Sequence, residues 1–121
     1  MIKPSKEIEN FIKFVEQCKK LYNFEYENVG AEDKKTQTFL HDIEKTSTAK
    51  ERSKIATQIH KSRNARRESK DMVLLTEKIN EFFNDKQHQY TLNKLSQLLG
   101  EQRKVENYVY SEREYKKRVE Y

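Results

Sequence analysis

The sequence predicts an all-α fold: an elongated antiparallel helical hairpin, coiled-coil-like, with a shorter third helix and a C-terminal tail. Three observations carry this. Of 121 residues, 34% are hydrophobic and 37% charged, too few apolar groups for a thick core but enough to line a narrow seam between long helices. Two glycines and one proline encode few turns. The apolar residues recur in alternating steps of three and four, and this regularity, with seven tyrosines and six phenylalanines, argues against disorder. The length bounds the chain to a single helical domain, residues 1–121.

The first helix is expected over residues 5–44. Ser5 stands as its N-cap, with Glu7 favourable in the first turn. Its seam runs through Ile8, Phe11, Val15, Cys18, Tyr22, Val29, Thr36, Phe39 and Ile43, widened by Phe14, Leu21, Tyr26 and Leu40. Gly30 interrupts the pattern and marks a candidate kink near 28–31, since glycine costs about 1 kcal/mol against alanine in a helix.

Thr46-Ser47-Thr48 is a boundary, and Thr48 with Glu51 three residues later fits a capping box. The second helix is expected over 49–85, with its seam at Ile55, Ile59, Ser62, Ala65, Ser69, Met72, Val73, Thr76, Ile79 and Phe83. Its small, polar centre lets a partner helix approach closely. A polar turn is expected over 84–91, with Thr91 capping a third helix over 91–106 that carries Leu92, Leu95, Leu98, Leu99 and Val105. Gly100 is a second candidate break. The tail 107–121 alternates tyrosine with charge and is expected to be partly extended, docked by some of its tyrosines.

Charge is unevenly distributed. Residues 1–48 hold 8 basic and 9 acidic side chains, residues 49–70 hold 8 and 2, and residues 71–121 hold 9 and 9, so the net +5 arises from one central block. Such a block suits an acidic partner. Within it, His60, Arg63, Arg67 and Lys70 are spaced to share one helical face, with Arg66 flanking them. Guanidinium groups bind phosphate oxygens bidentately and stay charged. A hairpin folded about residue 46 also places this stretch against Glu25, Glu27, Glu32 and Asp33: Glu25 near Arg67, Glu27 near Ala65 and Arg66, Asp33 near Ile59 and His60. Three readings therefore stand together: internal ion pairing, a nucleic-acid or nucleoprotein surface, and a surface for an acidic protein. Tyr110, Tyr115, Lys116, Lys117 and Arg118 form a secondary basic and aromatic cluster of the kind that holds single strands, although a solvated terminus is the plainer reading.

Other chemistries find little support. His41, His60 and His88 are widely separated and Cys18 is the only cysteine, so no metal-ligand spacing and no internal disulfide is encoded. Cys18 lies in the seam as a buried, inert thiol. Two glycines exclude a phosphate loop, and no catalytic residue or cofactor is expected. Leu95-Ser96-Gln97-Leu98-Leu99-Gly100 is similar to the start of a helix-turn-helix, but Glu101 and Val105 depart from that pattern and favour a docking helix. No signal peptide or membrane-length apolar run is present, and a cytoplasmic location follows as the expectation.

Glu51-Arg52-Ser53-Lys54-Ile55-Ala56-Thr57 followed by Arg63-x-x-Arg66-Arg67-Glu68-x-Lys70-Asp71 resembles small helical accessory proteins of temperate phages of Gram-positive bacteria. Leu99-Gly100-x-x-Arg103-Lys104-Val105-Glu106-x-Tyr108 and Tyr115-x-x-Arg118-Val119 extend the resemblance over roughly residues 35–119. The resemblance implies a bacterial host cell as the setting. It also implies binding to a host protein or nucleoprotein, defence nucleases and CRISPR effectors among them, and it brings no catalytic residue. Many such inhibitors mimic nucleic acid with acidic surfaces, and the basic block departs from that. The functions expected are thus a phage-type accessory protein binding nucleic acid or nucleoprotein through the basic face, an inhibitor of a host protein by direct contact, or a self-associating coiled coil, for instance a homodimer.

Overall fold

A computed structural model describes residues 2–111. The chain is all-α: α1 spans Pro4–Lys45, α2 Ala49–Asn84 and α3 Lys86–Tyr110. The described residues divide into two compact units, one formed by residues 2–14 together with 85–111, the other by Val15–Asn84.

Helix α1 begins one residue before the expected start. Pro4 takes the first helical position, where its missing N–H leaves nothing unpaired. Ser5 is therefore not the N-cap; it lies buried in the first turn. Thr48 does cap α2, its hydroxyl accepting from the Glu51 backbone N–H at 3.3 Å. The α2–α3 junction is shorter than the polar run suggested. Only Asp85 is non-helical, and as N-cap its side chain accepts from the Gln87 N–H at 3.2 Å. Thr91 lies inside α3 and bonds back to the Gln87 carbonyl. The C-terminal end of α3 reaches Tyr110, so residues 107–110 are helical rather than extended.

Neither glycine breaks its helix. Gly30 and Gly100 both sit within continuous α-helix without positive φ, and a Cβ built at either meets nothing within 4 Å. No helix-turn-helix is therefore present at Gly100. Gly30→Ala and Gly100→Ala are each expected to stabilise the chain by up to about 1 kcal/mol, read as a raised urea midpoint at unchanged slope.

In the Val15–Asn84 unit, α1 and α2 form the helical hairpin. Every residue assigned to the α2 seam, from Ile55 to Phe83, is buried or half-buried. Val15, Cys18 and Val73 are the buried apolar residues, accompanied by Ser62, Ser69 and Thr76. The stripe on α1 is narrower than expected, with Tyr26 and Leu40 half exposed or more. A helix with one partner buries a seam rather than a broad face, so the flanking apolar residues stay in solvent.

In the other unit, Glu106 of α3 is buried and its Oε1 accepts the Ser5 backbone N–H at 3.2 Å. A side chain 101 residues away thus satisfies one of the first-turn donors that every helix leaves open. Arg103 donates to Glu9 at 3.2 Å, and the Tyr110 hydroxyl donates to the Ile2 carbonyl. The Lys13 ammonium beside Glu9 holds that carboxyl below the usual range.

Candidate polyanion-binding flank of α2

The basic stretch lies mid-way along α2, and its geometry starts from Ser62. With so small a side chain on the seam, the helices come close enough for the Ser62 hydroxyl to stand 2.7 Å from Glu32 Oε2, 3.1 Å from the Glu32 carbonyl and 3.2 Å from the Thr36 hydroxyl. One hydroxyl carries one proton. The shortest contact assigns that proton to Glu32 Oε2, leaving the Thr36 hydroxyl to donate to Ser62.

The Ser62 hydroxyl, aided by Lys35 at 3.2 Å, holds the Glu32 carboxyl below its ordinary value of 4.5, against partial burial that pushes it up. Because the folded pKa is depressed, the unfolded chain binds the proton first as pH falls. The stabilisation is complete above the unfolded value and is lost as pH drops through the folded one. Melting of the hairpin from about pH 6 to about pH 3 should show this acid loss, and Ser62→Ala should shrink it.

The hairpin register fixes which basic residues meet carboxylates. The ion pairs of Asp33 lie beyond Ile59 and His60, the residues expected near it. Its Oδ1 accepts from Arg66 Nε at 2.7 Å and from Arg63 Nη1 at 3.4 Å, one helical turn further along α2 than a hairpin centred on residue 46 requires. Glu25 and Glu27, expected near Arg67 and near Ala65 and Arg66, form no ion pair with either arginine among the described residues. Arg52 folds back to donate from Nε and Nη2 to the Thr46 carbonyl, which ties the start of α2 to the connection before it.

The predicted residues thus separate into different states. Arg66 is half-buried and committed to Asp33. Arg63 is exposed and more loosely held by the same oxygen. Arg67 and Lys70 are exposed, with no carboxylate in ion-pair contact among the described residues. His60 is exposed, its Nε2 3.3 Å from the Asn64 amide. Tyr110 lies in the other unit, while Tyr115, Lys116, Lys117 and Arg118 fall outside the described residues.

Two features escaped the sequence. Asp33 is the organiser of the arginines, and nothing local distinguishes it from Glu25, Glu27 or Glu32. Lys61 lies with Lys35, Phe39 and Gln58 along an open groove of about 290 Å³ on the hairpin. No group of three or more His, Cys, Asp or Glu suited to a metal ion occurs among the described residues, and none of their helices is long and apolar enough to cross a membrane. Comparison with protein-family models, with curated proteins and with solved structures finds no match.

Proposed function

We propose that this chain is a non-enzymatic accessory protein, of the type temperate phages encode, that binds a polyanionic partner through Arg63, Arg67 and Lys70. The partner class is nucleic acid or nucleoprotein. The observation that carries this is the unequal use of the basic stretch: Asp33 holds Arg66, while Arg67 and Lys70 stand exposed with no ion-pair partner among the described residues. Along the helix axis Arg63, Arg67 and Lys70 climb in steps of roughly 6 and 4.5 Å, giving three cations in a row. Such a row contacts phosphates without reading bases, so sequence-tolerant binding is expected. Were internal pairing the whole role of the stretch, these two cations, which make no ion pair among the described residues, would have no assignment.

The test is fluorescence anisotropy with labelled single-stranded and duplex oligonucleotides. Arg67→Glu with Lys70→Glu should abolish binding while the helical circular dichroism signal survives, because neither side chain holds the hairpin together. Loss of the helical signal in this variant would instead assign the stretch to folding.

A second reading, inhibition of a host protein by direct contact, is favoured by Leu74, Leu75 and Phe82, which α2 leaves 52–69% exposed. Capture of a host protein that survives nuclease treatment and the Arg67/Lys70 reversal would select it.

A further inference from the structure

Helix α3 carries a second apolar face beside the one it buries. The buried and half-buried positions are His88, Leu92, Leu95, Leu99, Gln102 and Glu106. About 110° round the helix lies another face formed by Tyr90, Lys94, Leu98, Glu101, Val105 and Val109. Its apolar members are substantially exposed: Tyr90 61%, Leu98 43%, Val105 53% and Val109 45%. Isolated exposed apolar residues are ordinary, but these four share one face of one helix, interleaved with Lys94 and Glu101. Lys94 lies over the Tyr90 ring at 5.2 Å, so the charge and the ring are presented together.

The charges on this face identify its occupant. Lys94 precedes Leu98 by four residues and Glu101 follows it by three. A two-fold axis near Leu98 therefore maps each charge onto its opposite. In an antiparallel pair of α3 helices, Lys94 of one copy is level with Glu101 of the other, Tyr90 with Val105, and Leu98 with Leu98, and each of the first two contacts occurs twice. A parallel, in-register pair would instead oppose Lys94 to Lys94 and Glu101 to Glu101, which is unfavourable. Self-complementarity under a two-fold is what an isologous contact requires. Within one chain Lys94 and Glu101 are seven residues apart, beyond the reach of i, i+3 and i, i+4 pairing, so their opposition has no intrachain use.

We infer that this face of α3 binds a second copy of the chain, antiparallel, about a two-fold near Leu98. It lies in a different unit from the basic flank of α2, and the inference stands whether or not that flank binds nucleic acid.

Sedimentation equilibrium of the whole chain over a wide concentration range tests it, with Lys94→Glu, Glu101→Lys and the double exchange. The wild-type mass should rise with concentration from one chain toward two. Each single reversal should weaken association by roughly tenfold or more, since it sets like charges opposite each other twice, and the double exchange should restore it. All three variants change exposed side chains and should keep the helical signal. A mass of one chain at every concentration would overturn the inference, as would a dimer indifferent to the single reversals or not recovered by the double exchange.

Discussion

Asp33→Asn is expected to tighten binding to nucleic acid while loosening the hairpin only slightly. The Asp33 carboxylate is 43% exposed and holds two arginines through one oxygen, Arg66 Nε at 2.7 Å and Arg63 Nη1 at 3.4 Å. Ion pairs this exposed contribute about 0.2–1 kcal/mol each, so their loss lowers the melting temperature modestly. The same substitution releases two guanidinium groups that already converge on one point, where under the proposed function a phosphate would take the place of the carboxylate. Each further phosphate that a released arginine neutralises adds roughly 0.9 to the dependence of log K on log salt, equivalent to roughly eightfold in affinity at 0.1 M salt. Arg63, held at the longer distance, already exchanges Asp33 for phosphate in the proposed wild-type complex, so the further contact is that of Arg66. Anisotropy titrations of wild type and Asp33→Asn at matched salt measure the change. Unchanged affinity together with a lower melting point would mean that the arginines serve only the hairpin.

The second large effect concerns folding. Glu106→Ala should free the first turn of α1. Ser5 is 9% exposed and its N–H has Glu106 Oε1 as its acceptor, so truncation leaves a buried donor unpaired at a cost of about 1–3 kcal/mol. Removing the side chain also takes an acidic group from a helix N-terminus, a further loss of about 0.3–1 kcal/mol. Glu106→Gln keeps an acceptor oxygen in place and should cost less, so the two variants separate the hydrogen bond from the charge. Amide hydrogen exchange resolves the effect by residue. Protection should fall over residues 5–9 in Glu106→Ala, while amides around Ser62 keep theirs. Equal protection in wild type and Glu106→Ala would show that the contact contributes nothing.

These two positions differ in how far the sequence reveals them. The α2 seam was fully legible, because each of its residues is set by helical period and a single partner helix suffices to bury it. Thr48 was legible for the same local reason: its hydroxyl and the Glu51 N–H are three residues apart. The α3 cap was not, since Asn84, Asp85 and Thr91 are all capable caps within one polar run and only backbone geometry selects Asp85. The hairpin register was off by one turn. The length of the 45–48 connection does not define the phase at which two helices meet, and the small Ser62 seated against Glu32 and Thr36 does. That turn decides the assignment of the basic residues, moving Asp33 onto Arg63 and Arg66 and leaving Arg67 and Lys70 without an ion-pair partner among the described residues. Glu106 carried one usable signal, an acidic residue four after Gln102 and seven after Leu99 on the buried face. Its partner, 101 residues away, is beyond any local pattern.

The basic flank is most directly tested by the salt dependence of nucleic-acid binding. With Arg63, Arg67 and Lys70 each neutralising one phosphate, log K should fall linearly with log salt at a slope of roughly −2 to −3, shallower for single strands than for duplex. In Arg67→Glu with Lys70→Glu the binding should vanish. A wild-type affinity that does not change with salt, or no binding to any DNA or RNA at low salt, would contradict the account.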